Sequence, residues 1–279
     1  MKERYPSRAV WIVLLLLLAF KTEAQLYRND SLADQLYMYK VKSVDEFIER
    51  FNDDQQSFLR KELKKQRGNV SISRQQMLAH LFDAQKKDWN MVQLKSFMAD
   101  LVRDSGHYHL NFTDSNWVAA AQCRFKMDDK EIVIPLRLRI KNNQPLGARW
   151  VICGVASHPD LPAAATTYTA VWNRSFRFIP SSSHSTGFVY LHDAFHDLDN
   201  LPVYFDELFL QSGKGDRLID ALINKKITFV HVDLLDFYFF QVHNWVFKVS
   251  NIERNMMNHG WLITDLFPIS ENQKRSFFN

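Results

Sequence analysis

Two histidines four residues apart, in His192-Asp193-Ala194-Phe195-His196, are the sharpest chemical signal in the sequence. On a helix that spacing puts both imidazoles on one face, and the carboxylate after the first resembles a zinc-binding helix with Asp193 where a glutamate usually acts as base. Aspartate is one methylene shorter, so a general base there would sit about an ångström or more from the required position. No third ligand follows at the usual distance, although Asp216, Asp220 and His231 are at hand. A helix with Leu191 and Phe195 turned to the core and both histidines in water explains the same residues, and it is the favoured reading. The metal site at His192 and His196 stands as the alternative.

The other candidates are weaker. His107-Tyr108-His109 would put two imidazoles on one side of a strand, and two ligands do not close a metal site. Arg137, Arg139 and Lys141 would form a basic stripe on one strand face, able to hold a carboxylate, phosphate or acidic glycan. The run Arg60-Lys61-Glu62-Leu63-Lys64-Lys65-Gln66-Arg67 predicts a solvated face with Leu63 buried. Ser181, Ser182, Ser183, His184 and Ser185 lack the Gly-x-Ser-x-Gly elbow of a hydrolase and read as a linker. Cys153 and His158 make a poor nucleophile pair, because Cys153 lies in an apolar strand. In Phe237 to Trp245, a continuous strand would put Gln241, His243 and Trp245 on one face with Phe237 and Phe239; Gln241 and His243 are its first polar candidates for lining a cavity.

The chain that must position these groups has 279 residues, 46% of them apolar, with 22 Phe, 9 Tyr and 7 Trp. Such a chain is too hydrophobic for disorder or a coiled coil, and its 8 glycines show no nucleotide-binding fingerprint. Lys2, Arg4 and Arg8 precede a 12-residue apolar run, Ala9 to Phe20, and Ala24 offers a small residue before Gln25. Residues 1–24 therefore read as an export signal, since about 20 apolar residues are needed to span a bilayer. Its removal would leave 31 basic and 29 acidic residues, too balanced for a nucleic-acid binder. The expected compartment is periplasmic or extracellular, with no stable membrane span after cleavage. Two cysteines are too few for a disulfide scaffold.

Residues 25–42 form a lead-in, and 43–104 read as helical. Ser43-Val44-Asp45-Glu46 is a capping box, and apolar stripes follow at Phe47, Ile48 and Phe51, at Met77 to Phe82, and at Leu94 to Val102. From residue 117 the period becomes two, predicting strands over 117–127 and 132–140, then Trp150 to Cys153 ending at Gly154, with a further strand candidate at 167–179. The polar stretch 180–187 is the expected boundary between a first α+β domain, 43–180, and a smaller second one, 181–279. Helices near 188–196 and 216–224 and strands near 227–232, 237–249 and 260–266 complete the second. In a meander, Cys123 and Cys153 flank the strand between them from opposite sides, too far apart to bond.

Helices followed by a curved antiparallel sheet, an order that the echo of Trp150-Val151-Ile152 in Trp261-Leu262-Ile263 would repeat in tandem, resemble the nuclear-transport-factor/SnoaL-like cone fold. Tyr39 to Phe47, Phe178 to His184 and Gly260 to Ile263 are also similar to uncharacterised exported proteins of Bacteroidetes-type bacteria. That resemblance implies a compartment and no particular activity. The expectation is a non-enzymatic module of the cell envelope that binds a small ligand or partner, with no cofactor; the alternative is a metal-dependent hydrolase using His192 and His196.

Overall fold

A computed structural model of the chain describes residues 39–67, 72–103, 108–143, 147–169, 177–255 and 257–278. The expected export signal, most of the lead-in, His107 and residues 170–176 of the strand candidate at 167–179 lie outside the described residues. Among the described residues no helix is long and apolar enough to cross a membrane.

Four helices come first: α1 (Val44–Phe51), α2 (Phe58–Arg67), α3 (Arg74–Ala79) and α4 (Met91–Val102). Ser43 caps α1, its hydroxyl accepting from the Glu46 amide at 3.2 Å. The return arm differs from the expected box, because the Glu46 carboxylate accepts from the Lys42 amide at 2.9 Å and holds Arg50 at 2.5 Å. The expectation that the charges of α2 are all solvated fails at Arg60, which is buried, ion-paired to Asp53 and bonded to the Ile72 carbonyl. Leu63 is buried as expected, in a small satellite core with Leu59, Ile72 and Met77.

The strands are β1 (Trp117–Met127), β2 (Lys130–Asn143), β3 (Gly147–Val155), β4 (Ile179–Pro180), β5 (Thr228–Phe239), β6 (Trp245–Ile252) and β7 (Gly260–Pro268). They form one curved, open, antiparallel sheet in the order β4-β3-β2-β1-β5-β6-β7. The expected boundary at 180/181 does not divide this sheet, since β1 from one side of it pairs along its length with β5 from the other. Nor is 181–186 a linker. It is a turn of 3-10 helix with Ser183 and His184 buried, and its Ser181 carbonyl accepts from the Trp150 indole at 2.9 Å.

The two-residue turn after Met127 sets Cys123 opposite Ile134, one residue from the expected register, and β3 pairs on the other side of β2. Both cysteines are free, and burial pushes the thiols up, to about 12 for Cys123 and about 11 for Cys153. Gly154 was expected to end β3 but lies inside it. A Cβ there would meet the Arg137 side chain at 2.5 Å, so the glycine lets that side chain lie across the strand.

Between the strands come α5 (Tyr190–His196), a 3-10 turn over Leu198–Tyr204, α6 (Glu207–Gln211) and α7 (Asp216–Ile223), and α8 (Glu271–Phe278) closes the chain. One face of the sheet is filled by aromatic rings. Phe51 stacks on Phe247 at 5.6 Å, Phe247 on Phe239 at 5.1 Å, and Phe239 on Trp117 at 5.3 Å.

Candidate ligand-binding site

The histidine pair behaves as an exposed helix face. Leu191 and Phe195 of α5 are buried, while the rings of His192 and His196 stack in the open with centroids 4.2 Å apart. His196 Nδ1 lies 2.7 Å from the His192 carbonyl, and among the described residues no group of three His, Cys, Asp or Glu side chains could hold a metal. The residues at hand as third ligands are engaged elsewhere: Asp216 and Asp220 accept from Tyr168, and His231 meets Asp233 at 2.6 Å.

Gln241, His243 and Trp245 do not share a strand face, which corrects the expected strand over 237–249. Residues 240–244 are the hairpin between β5 and β6, closed by Asn244 in the left-handed region (φ 59) and by the Trp245 amide donating to Val242. Gln241 accepts from the Asn111 amide at 2.7 Å and donates to its carbonyl at 3.1 Å. His243 meets Glu271 at 3.2 Å, and the Trp245 indole donates to Asp100. Lys274, buried on α8, donates to the Phe240 and Val242 carbonyls. These polar atoms brace the turn from within the chain.

The basic stripe of β2 meets a carboxylate. Asp206, only 2% exposed at the start of α6, accepts from Arg139 at 2.9 Å, has Lys141 at 3.6 Å, and caps the helix by accepting from the Leu208 and Phe209 amides. Burial alone would raise this carboxyl, but the Arg139 hydrogen bond and the nearby cations outweigh it and hold Asp206 below its ordinary range. A lowered pKa in the folded state adds stability above the unfolded value of about 3.9, and that stability is lost as pH falls through the folded value. Asp206→Asn keeps an acceptor for the cap and removes the charge. It should lower stability at neutral pH by about 1–3 kcal/mol, the cations being partly exposed. In thermal melts the gap between the two proteins should narrow as pH falls below about 4; a constant gap would assign the loss to packing.

His184 sits under Trp117 and Phe112, with ring centroids 5.2 and 5.6 Å away. Its Nδ1 lies 2.6 Å from the Ser181 carbonyl and its Nε2 2.9 Å from Asp45, whose other oxygen accepts from Ser185. No imidazole stands between serine and acid, so the cluster has the wrong order for a Ser-His-Asp relay. It ties α1 to the 3-10 turn.

Among the described residues an open pocket of about 350 Å³ lies between the approach to β4 and α5. Tyr190, Asp193, Ala194 and Asp197 line it at helical spacing, a face of α5 that His192 and His196 do not share. Asp197, just past the helix, accepts from Arg177 at 2.6 Å, Asn200 at 2.9 Å and the Tyr204 hydroxyl at 2.8 Å. Burial would raise this carboxyl, yet the three donors, Arg177 foremost, bring it below its ordinary range. Burial and Asp197 together raise Tyr204, and the bond to Asp197 raises Arg177. Phe178 and Tyr190 present rings at the rim, 40% and 42% exposed. The spacing 190, 193, 197 is visible in the sequence, but Arg177 and Tyr204 come from flanking segments that nothing local connects to it.

Comparison with known protein families, with curated proteins and with solved structures finds no match. The pocket's own chemistry therefore carries the functional reading.

Proposed function

We propose that the chain is an exported α+β protein of the cell envelope that binds a small ligand in the pocket between β4 and α5, without chemistry of its own. The observation that carries this reading is the Asp197 junction. A carboxylate that accepts three hydrogen bonds fixes Arg177 at the pocket wall, where its remaining N–H groups have no protein partner among the described residues. Each perturbed group here moves further into its ordinary charge state at neutral pH: Asp197 down, Tyr204 and Arg177 up. Fixed charges suit recognition, whereas proton transfer needs a group poised near the working pH.

Helices ahead of a curved, open antiparallel sheet support the resemblance to the nuclear-transport-factor-like cone. The basic start and apolar run of residues 1–24 support export; N-terminal sequencing of the mature protein should begin within a few residues of Gln25, and an intact Met1 would overturn that part. Ligand binding is tested with fluorotyrosine-labelled protein, assigned through Tyr190→Phe and Tyr204→Phe. In a panel of neutral glycosides, aromatic acids and aromatic amines, at least one class should shift both tyrosine resonances. If no class does so at about 10 mM, the pocket is not a ligand site.

A further inference from the structure

Resting on that reading of the pocket, we infer that its ligand is a neutral pyranose ring. The pocket offers two kinds of surface. Phe178 and Tyr190 expose apolar ring area at the rim, which suits a ligand with a C–H face to lay against it. Arg177 and Asp193 supply the polar side, one a donor and the other an acceptor. Arg177 is held through Nη1 by Asp197 and has its other N–H groups to offer as donors. Asp193 is loosely placed 3.6 Å from His192 and keeps its carboxylate open to the pocket. A ligand satisfying both must carry an acceptor and a donor on one small molecule, as the hydroxyls of a sugar ring do.

Charge argues against the simpler ligands. Among the described lining residues Asp193 and Asp197 outnumber Arg177, and Arg177 is already paired, so an anion would meet net negative charge there. A cation would have to lie beside the Arg177 guanidinium, which is charged at any ordinary pH. A neutral polyol carries neither penalty. The size agrees: about 350 Å³ is at the small end of ligand pockets and suits one or two sugar rings better than a long chain. The open shape also lets a ring approach edge-on while its substituents stay in water.

Saturation-transfer NMR on the intact protein tests this with methyl α-D-glucopyranoside, methyl β-D-galactopyranoside, methyl α-D-mannopyranoside and N-acetylglucosamine as probes, and with benzoate and benzamidine as charged comparators. At least one glycoside should receive saturation, strongest at the ring protons of a single face, and should do so more than either comparator. Tyr190→Ala and Asp193→Asn should each weaken its binding by about tenfold or more, while His243→Ala, on the hairpin between β5 and β6 and outside the pocket lining, leaves it unchanged. Circular dichroism of the variants separates lost binding from lost folding, and Tyr190→Phe, which keeps the ring, should retain most of the signal. Saturation of benzoate or benzamidine with none of the glycosides would overturn the sugar assignment and leave the pocket as a ligand site. Silence from all six probes would overturn both. Glycoside binding indifferent to Tyr190→Ala and Asp193→Asn would move the sugar site elsewhere and equally refute the assignment.

Discussion

Trp117→Ala is expected to lower stability by about 3–5 kcal/mol. Trp117 is completely buried at the head of β1. Its ring lies 4.8 Å from Trp150 on β3, 5.5 Å from Phe237 and 5.3 Å from Phe239 on β5, and 5.2 Å from His184. It therefore joins the two stretches of chain on either side of residues 180–187 and packs under the turn that ties them to α1. Truncation to alanine opens a cavity that four rings on three elements cannot close together. The melting temperature should fall by roughly 10 °C, with loss of near-ultraviolet circular dichroism. The indole N–H finds no acceptor among the described residues. Trp117→Phe therefore removes an unpaired buried donor while keeping most of the packing, and should cost less than half as much. A fall of only about 2 °C for Trp117→Ala would show that the aromatic stack does not join the two stretches.

That junction explains what the sequence made legible. Strands β1 and β2 could be read directly, because one face of each is buried and the alternation is clean: Ala119, Ala121, Cys123 and Phe125 are buried against Ile132, Ile134, Leu136 and Leu138. The helical stripe of α1 was legible for the same reason. β5 was read as two pieces, 227–232 and the start of 237–249, since two register shifts, after Gln122 and after Arg124, break the alternation along Thr228–Phe239. The turn at 240–244 was hidden by apolar residues and the absence of glycine or proline, its reversal depending on one left-handed asparagine. The single sheet rests on pairing between residues more than 100 apart, which no local pattern encodes. The pocket followed the same rule. Its α5 face was periodic and readable, whereas the carboxylate that organises it draws donors from both sides of the helix.

Gly260→Ala is expected to be nearly as damaging, about 3 kcal/mol, through the backbone rather than the core. Gly260 opens β7 with φ 93, outside the range that L residues adopt easily, and it bridges Val41 in parallel. Around it the Val41 amide donates to the His259 carbonyl at 3.1 Å, and the Trp261 amide donates to the Val41 carbonyl at 2.9 Å. A Cβ on residue 260 would lie 2.1 Å from that same carbonyl oxygen. The obstacle is main chain, so no rotamer change relieves it. Either residues 39–42 leave the edge of β7, giving up the Lys40–Glu253 ion pair and the Arg50 bonds to the Tyr39 and Lys40 carbonyls, or β7 shifts against β6. Two substitutions separate strain from collision. Asparagine tolerates positive φ better than alanine, so if dihedral strain dominated, Gly260→Asn would recover much of the loss. Because the collision involves a Cβ that both residues carry, the two variants should be comparably destabilised in thermal melts. Hydrogen exchange at the Val41 and Trp261 amides should accelerate in both, while the β1–β2 amides stay protected until global unfolding. A substantial rescue by asparagine would place the cost in the dihedral and leave the close approach of Val41 without energetic weight.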